Sequence, residues 1–251
     1  MPNQTEDLIE RMTASGQKRA LVVMAHPDDN EFVCGGTVAL LSSKGWLVHI
    51  VVTTSGNKGT KDGSVTPQQL AFVREKEQRH AAKILGAEDP TFMGFPDGYI
   101  ENSNELRGLL VRQIRLHRPD LVITWDGFRS GFNHRDHRRT GRATYDAIYP
   151  AADDHLFYPS HKRENLSPHR PSVLLLAGTD SPDYLVDVTS VMAIKVRSIL
   201  AHESQMGGRT EAMVMERYRK RIIEERGAAT VHENKDDEVR YQESFKVIEF
   251  A

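Results

Sequence analysis

His26-Pro27-Asp28-Asp29 places one imidazole and two carboxylates within four consecutive positions, and these are groups that bind a divalent cation or move a proton. A His and a carboxylate three positions apart in a tight turn can converge on one ion, with the intervening proline limiting backbone freedom. His26 and Asp29 are therefore candidate metal ligands. Asp28 would point away from direct ligation and face the water such an ion carries, which is the position of a general base. Catalytic zinc usually takes three protein ligands and keeps one position open, so two are too few. The run His134-Arg135-Asp136-His137 supplies the third, His137. His134 is then assigned to the substrate side, where Asp136 would stabilise its protonated form. Taken singly, each cluster has an ordinary reading: the aspartates could cap a helix, and the histidines could be surface residues. Two such clusters in one chain favour a metal centre.

For the clusters to meet, both must lie at the same end of one sheet. Lys18 to Ala25, Trp46 to Thr54, Thr91 to Gly94 and Leu121 to Trp125 are short runs suited to strands, the longest of them apolar enough for burial on both faces. Helical spacing fills Glu31 to Lys44, Thr66-Pro67 to Leu85-Gly86 and Asn104 to His117 between them, and another helix follows Asp136 to about Ala147. Strands alternating with helices predict a Rossmann-like, doubly wound, mostly parallel α/β sheet in a single domain over 1–251, which binds ligands beyond the carboxyl ends of its strands. His26 follows the first strand and His134 the fourth. Further on, Pro150 to Pro171 reads as a long functional loop. Ser172 to Ala177, Tyr184 to Val188 and Glu238 to Glu249 read as strands, and Ser190 to His202 and Thr210 to Arg226 as helices.

Composition narrows the partners. Lys and Arg total 33 against 35 Asp and Glu, a net charge of -2, which offers no global field for nucleic acid or an anionic membrane. The short basic runs Arg138-Arg139 and Arg217 to Arg221 fit solvated helix faces. Cys34 is the single cysteine, so the chain has no intramolecular disulfide and any metal falls to His and carboxylate. The polar start and the lack of an 18-residue apolar run suggest a cytoplasmic protein.

His26-Pro27-Asp28-Asp29 with Cys34-Gly35-Gly36-Thr37, and His134-Arg135-Asp136-His137 later, resemble the LmbE-like (PIG-L) family of zinc-dependent N-deacetylases. The resemblance extends through Thr53-Thr54-Ser55-Gly56, Arg74-Glu75, Leu85-Gly86, Asp97-Gly98, and Lys195 with His202-Glu203-Ser204-Gln205. It implies zinc held by His26, Asp29 and His137, or another divalent ion such as Fe2+, with Asp28 as base and His134 as acid or oxyanion stabiliser. It also implies that Arg74 and Asp97 lie near an N-acetylated amino sugar or its conjugate, and that the chain forms a homo-oligomer. Asn30 stands where many members carry Glu, and Arg135 replaces the usual proline. Phe132 stands where the thiol-cofactor deacetylases of that family carry a tyrosine, and a phenyl ring donates no hydrogen bond.

Several residues carry two readings. Thr53 to Gly59 lacks the Walker spacing and is either a turn or a wall of the site mouth. Lys195 and His202, seven apart, pack a helix or reach the site from behind. Phe157, Tyr158 and Tyr184 are candidates for a sugar-binding lip. The rivals to deacetylation are a zinc amidase or esterase on another conjugate and a non-catalytic nucleotide-binding module. The second expects Gly-x-Gly-x-x-Gly where His-Pro-Asp-Asp stands.

Overall fold

In the computed structural model, which describes residues 7–132, 134–226 and 239–250, one seven-stranded sheet joins every described strand. After α1 (Leu8–Ala14) the chain alternates β1 (Arg19–Met24), α2 (Asp29–Val33), α3 (Gly35–Ser43), β2 (Leu47–Thr54), α4 (Pro67–Leu85), β3 (Thr91–Phe95), α5 (Asn104–His117), β4 (Leu121–Trp125) and α6 (Arg135–Asp146). It continues through β5 (Val173–Ala177), β6 (Tyr184–Asp187), α7 (Met192–Leu200), α8 (Glu203–Met206), α9 (Glu211–Arg226) and β7 (Gln242–Glu249). The strand order is β3-β2-β1-β4-β5-β7-β6. β3 through β5 run parallel, and β7 is antiparallel to both β5 and β6. Successive connections leave β1 in opposite directions along the sheet, so a crevice opens above β1 and β4, where such sheets bind ligands.

Burial explains the strands. β1 and β4 carry almost nothing but apolar side chains, and from Ala20 to Met24 and Leu121 to Trp125 all are buried. Separate packed clusters cover the two faces. Helix ends follow local chemistry: the Thr66 side chain accepts from Gln69 N while Gln69 reaches back to Thr66, with Pro67 in the first turn.

The helix expected over Glu31 to Lys44 is two helices, broken at Cys34 (φ -145, ψ 14). A buried ion pair from the far end of the chain supports the break. Glu243 accepts from Gly36 N (2.8 Å), Thr37 N (2.7 Å) and Thr37 Oγ1 (2.6 Å), satisfying free donors at the start of α3. Lys195 Nζ donates to Glu243 Oε1 (2.6 Å) and to Phe32 O (3.0 Å) at the end of α2. Removing one partner of such a pair costs about 3–5 kcal/mol, because the other charge stays buried.

Other departures are local. The expected loop from Pro150 to Pro171 contains a wide helical turn over Ala147–Ala152 and a 3-10 turn over Pro159–Glu164. The expected helix over Ser190 to His202 begins as a 3-10 turn and ends at Leu200, so His202 lies between α7 and α8. Phe157 and Tyr158 do not form a lip: they pack against the core cluster beside α5, where Arg107 donates to the Tyr158 hydroxyl (3.0 Å). Tyr184 likewise packs toward α1, its hydroxyl bonded to Asp7 (3.2 Å). Glu238, the expected start of the last strand, lies outside the described residues.

Near the amino-terminal end of β2, His49 and His117 stack at 3.7 Å with their rings 18° apart. Burial, and then the neighbouring His49, push His117 from 6.5 down to about 4, and burial also lowers His49. An unfolded chain protonates these rings near 6.5, above the folded values, so their neutral pairing is fully accommodated above that pH and loses stability as pH falls toward 4. His117→Phe keeps a ring against His49, and its Tm is expected to fall less steeply than wild type between pH 6.5 and 4. Identical acid limbs in the two proteins would contradict this.

Candidate active site

The loop after β1 and the start of α6 after β4 meet over the crevice. His26 Nδ1 lies 3.2 Å from His137 Nε2 and 3.5 Å from Asp29 Oδ2, and His137 Nε2 lies 3.2 Å from Asp29 Oδ1. Ligand atoms about 2.0–2.1 Å from a tetrahedral ion sit about 3.3 Å from one another. The 3.2 Å separations of His137 Nε2 from His26 Nδ1 and from Asp29 Oδ1 match two edges of such a site.

The surrounding contacts orient these groups for that task. Asp29 Oδ2 accepts from Ala25 N (3.1 Å), His26 N (2.9 Å) and Trp125 Nε1 (3.1 Å), while Oδ1 faces His137. His26 Nε2 lies 3.1 Å from Asp97 Oδ1 and 3.3 Å from Asp136 Oδ2, carboxylates that keep a proton on Nε2, so Nδ1 is the nitrogen turned toward Asp29 and His137. Burial alone would lower the His26 pKa. The charge of Asp29 and hydrogen bonds to Asp136, Asp29 and Asp97 outweigh it, raising the pKa to about 12. A pocket this electronegative suits a cation.

Asp28 is held beside the ligands in a left-handed conformation (φ 93), which costs a non-glycine residue about 1–3 kcal/mol unless its surroundings enforce it. Its N–H donates to Gln78 Oε1 (3.0 Å). Arg74 Nη2 donates to Pro27 O (2.5 Å) and Asp28 Oδ2 (3.1 Å), and Arg74 Nη1 to Gly56 O (3.0 Å). Burial raises the Asp28 pKa to about 6, with Arg74 pulling it down and Asp29 pushing it further up. A carboxylate in this range is matched to accepting a proton near neutral pH.

Two expectations change. Asp136 favours protonated His134 only through its charge, which burial and the neighbouring histidines outweigh; its hydrogen bonds go elsewhere, to His26 and from Gly98 N (2.6 Å) and Ile100 N (3.2 Å). His134, exposed at the mouth, is pushed down by burial and then by His137 and His26, which disfavours the protonated form expected from sequence. Its ring stacks on His137 at 4.4 Å. Arg74 and Asp97 do line the cavity of about 240 Å³ with His26, Asp28, Asp29, Gly59, His134 and His137. Their polar atoms, however, are engaged chiefly by the loops themselves, Asp97 also accepting from Lys58 N (3.3 Å). Of the segment Thr53 to Gly59, Gly59 lines that cavity.

Sequence reasoning missed the supports. Gln78, fully buried, also donates to Asn30 Oδ1 (3.2 Å) and Glu31 Oε1 (2.9 Å). His202 lies behind that layer, its Nε2 3.3 Å from Glu31 Oε2, and it also precedes the first turn of α8. Gln78 sits four residues after Arg74 on one face of α4, the one sequence signal for it. Among the described residues, possible ligand atoms also come together in the crevice as His26, His134 and His137 and as His26, Asp97 and Asp136, and a second, separate group is His49, Glu88 and His117. Its rings are stacked at 3.7 Å, whereas those of His26 and His137 are 5.2 Å apart and tilted by 57°. Two imidazoles aimed at one tetrahedral ion need centroids on the order of 5 Å apart. The second group is a packing pair.

Comparison with known proteins shows the family. A family model described as PIG-L, GlcNAc-PI de-N-acetylase, matches residues 21–148. The chain is 34% identical over 188 residues to diacetylchitobiose deacetylase of Thermococcus kodakarensis, covering 75% of this chain and 70% of that protein. It is 27% identical over 220 residues to a probable N-acetyl-alpha-D-glucosaminyl L-malate deacetylase 2 of Bacillus cereus, covering 86% and 93% respectively. Among solved structures, N,N'-diacetylchitobiose deacetylase from Pyrococcus horikoshii superposes with a TM-score of 0.80 at 28% identity, over 96% of this chain and 89% of that one.

Proposed function

Because the chain belongs to the PIG-L family of de-N-acetylases, we propose that it is a zinc-dependent hydrolase that removes the acetyl group from an N-acetylglucosamine-type amino sugar or its conjugate. The observation that carries this reading is the convergence of His26 Nδ1, the Asp29 carboxylate and His137 Nε2 at 3.2–3.5 Å, with Asp28 alongside. These three side chains would hold the metal, which supplies Lewis acidity toward the amide carbonyl and acidifies water.

The chain's own groups do the rest. Asp28 takes a proton from the attacking water, whose oxygen bonds to the carbonyl carbon. The same carboxyl then returns the proton to the departing amine nitrogen as the C–N bond breaks, leaving acetic acid and the free amine, which exchange a proton to become acetate and ammonium. Arg74 keeps Asp28 oriented for both transfers. A neutral His134 donates an N–H to the developing oxyanion, a role that Phe132 has no group to fill. Asp97 and Asp136 hold His26 in its ligating tautomer. Among the described residues no helix is long and apolar enough to cross a membrane.

The test is acetate release from N-acetylglucosamine, diacetylchitobiose and the inositol- and malate-linked N-acetylglucosaminides by zinc-loaded protein. Release from at least one, abolished by chelation and restored by zinc, is the expected result. Silence across the panel, with hydrolysis of simple esters or of larger amides instead, would replace the deacetylase reading with that of a zinc esterase or amidase.

A further inference from the structure

Trp125 ends β4 and touches two of the three groups assigned to the metal. Its indole N–H donates to Asp29 Oδ2 at 3.1 Å. The indole face lies on the His137 ring, with centroids 4.1 Å apart and planes 10° apart. A ligating histidine is normally oriented by a hydrogen bond from its second ring nitrogen. His137 Nδ1 is buried and has no such partner among the described residues. The ring is held instead by stacking, Trp125 on one face and His134 on the other at 4.4 Å.

The indole is itself fixed. Phe132 meets it edge-on at 5.3 Å, and a Cβ at Gly178 would stand 2.8 Å from its Cζ3, so that position leaves room for the ring by having no side chain. The hydrogen bond has a further effect. By occupying Asp29 Oδ2 together with two backbone amides, it leaves Oδ1 as the oxygen directed at the ion.

We propose that Trp125 is the positioning residue that sets metal affinity, selecting the ligating oxygen of Asp29 and clamping the ring of His137 in place of the missing hydrogen bond. The inference rests on the metal assignment made above. It does not depend on which amide is cleaved.

Metal binding reads it directly. Zinc affinity is measured by chelator competition on metal-stripped wild type, Trp125→Phe and Trp125→Leu, with circular dichroism to confirm that each is folded. Trp125→Phe keeps a stacking ring and loses the N–H, and about 10-fold weaker binding is expected. Trp125→Leu loses both contacts and should approach 100-fold, the upper range for groups that orient ligands. Trp46, the other tryptophan, is buried with its N–H on Thr13. Zinc should therefore change wild-type tryptophan emission with the midpoint found by competition, and leave the emission of Trp125→Phe unchanged. A folded Trp125→Phe that binds zinc as tightly as wild type would overturn the inference while leaving the metal reading intact. A wild-type protein that binds no zinc would overturn both.

Discussion

Asp28→Asn is expected to lower kcat by about 10² to 10⁴, the contribution of a positioned general base, while zinc content stays near wild type. Asparagine is nearly the same size and keeps an oxygen for Arg74, and the backbone N–H still reaches Gln78, so the left-handed loop has its supports. What disappears is the carboxylate that burial raises to about 6. An amide cannot take the proton of water or return it to an amine. The measurement is kcat and KM for acetate release together with metal content of the same preparation. Retained turnover would remove Asp28 from the mechanism. Lost turnover accompanied by lost zinc would mean that the side chain acts as a ligand.

Gly141→Ala should be nearly as damaging although it touches no reacting group. A Cβ there would stand 2.2 Å from Trp125 O and 2.8 Å from Gly127 N, both backbone atoms that no rotamer change can move. α6 must therefore shift outward, and it carries His137 one turn earlier. Overpacking of this kind typically costs about 1–3 kcal/mol, and displacement of a positioned group by about 1 Å can cost on the order of 10² in rate. Activity about 100-fold below wild type, with a lower Tm and weaker zinc binding, is the expected outcome. A variant with unchanged zinc affinity would show that the close approach of α6 to β4 is not what places His137.

Much of this was legible before any coordinates. β1, β2 and β4 announce themselves because burial on both faces requires uninterrupted apolar runs. The metal candidates stand directly after two of those strands, where the parallel topology brings them together. Other features depend on partners distant in sequence. Nothing near Cys34 predicts a helix break that is supported by a carboxylate 207 positions beyond Gly36. Trp125 reads as the last apolar residue of a strand, since its N–H finds Asp29 only after folding. Asp136 was paired with its sequence neighbour His134, yet the fold turns it toward Gly98, Ile100 and His26. Phe157, Tyr158 and Tyr184 looked available to a sugar because sequence records an aromatic ring but not the core that absorbs it.

The anchoring of α3 by Glu243 also bears on how the protein is made. A ribosome releases the His26 to Asp29 loop early, but the carboxylate that steadies the helix behind it follows 207 positions after Gly36. Until then Lys195 lacks its counter-charge and the first turn of α3 its acceptor. The frame of the candidate metal pocket is thus incomplete until synthesis has passed residue 243, and a nascent chain stalled before it would present His26, Asp29 and His137 without that support.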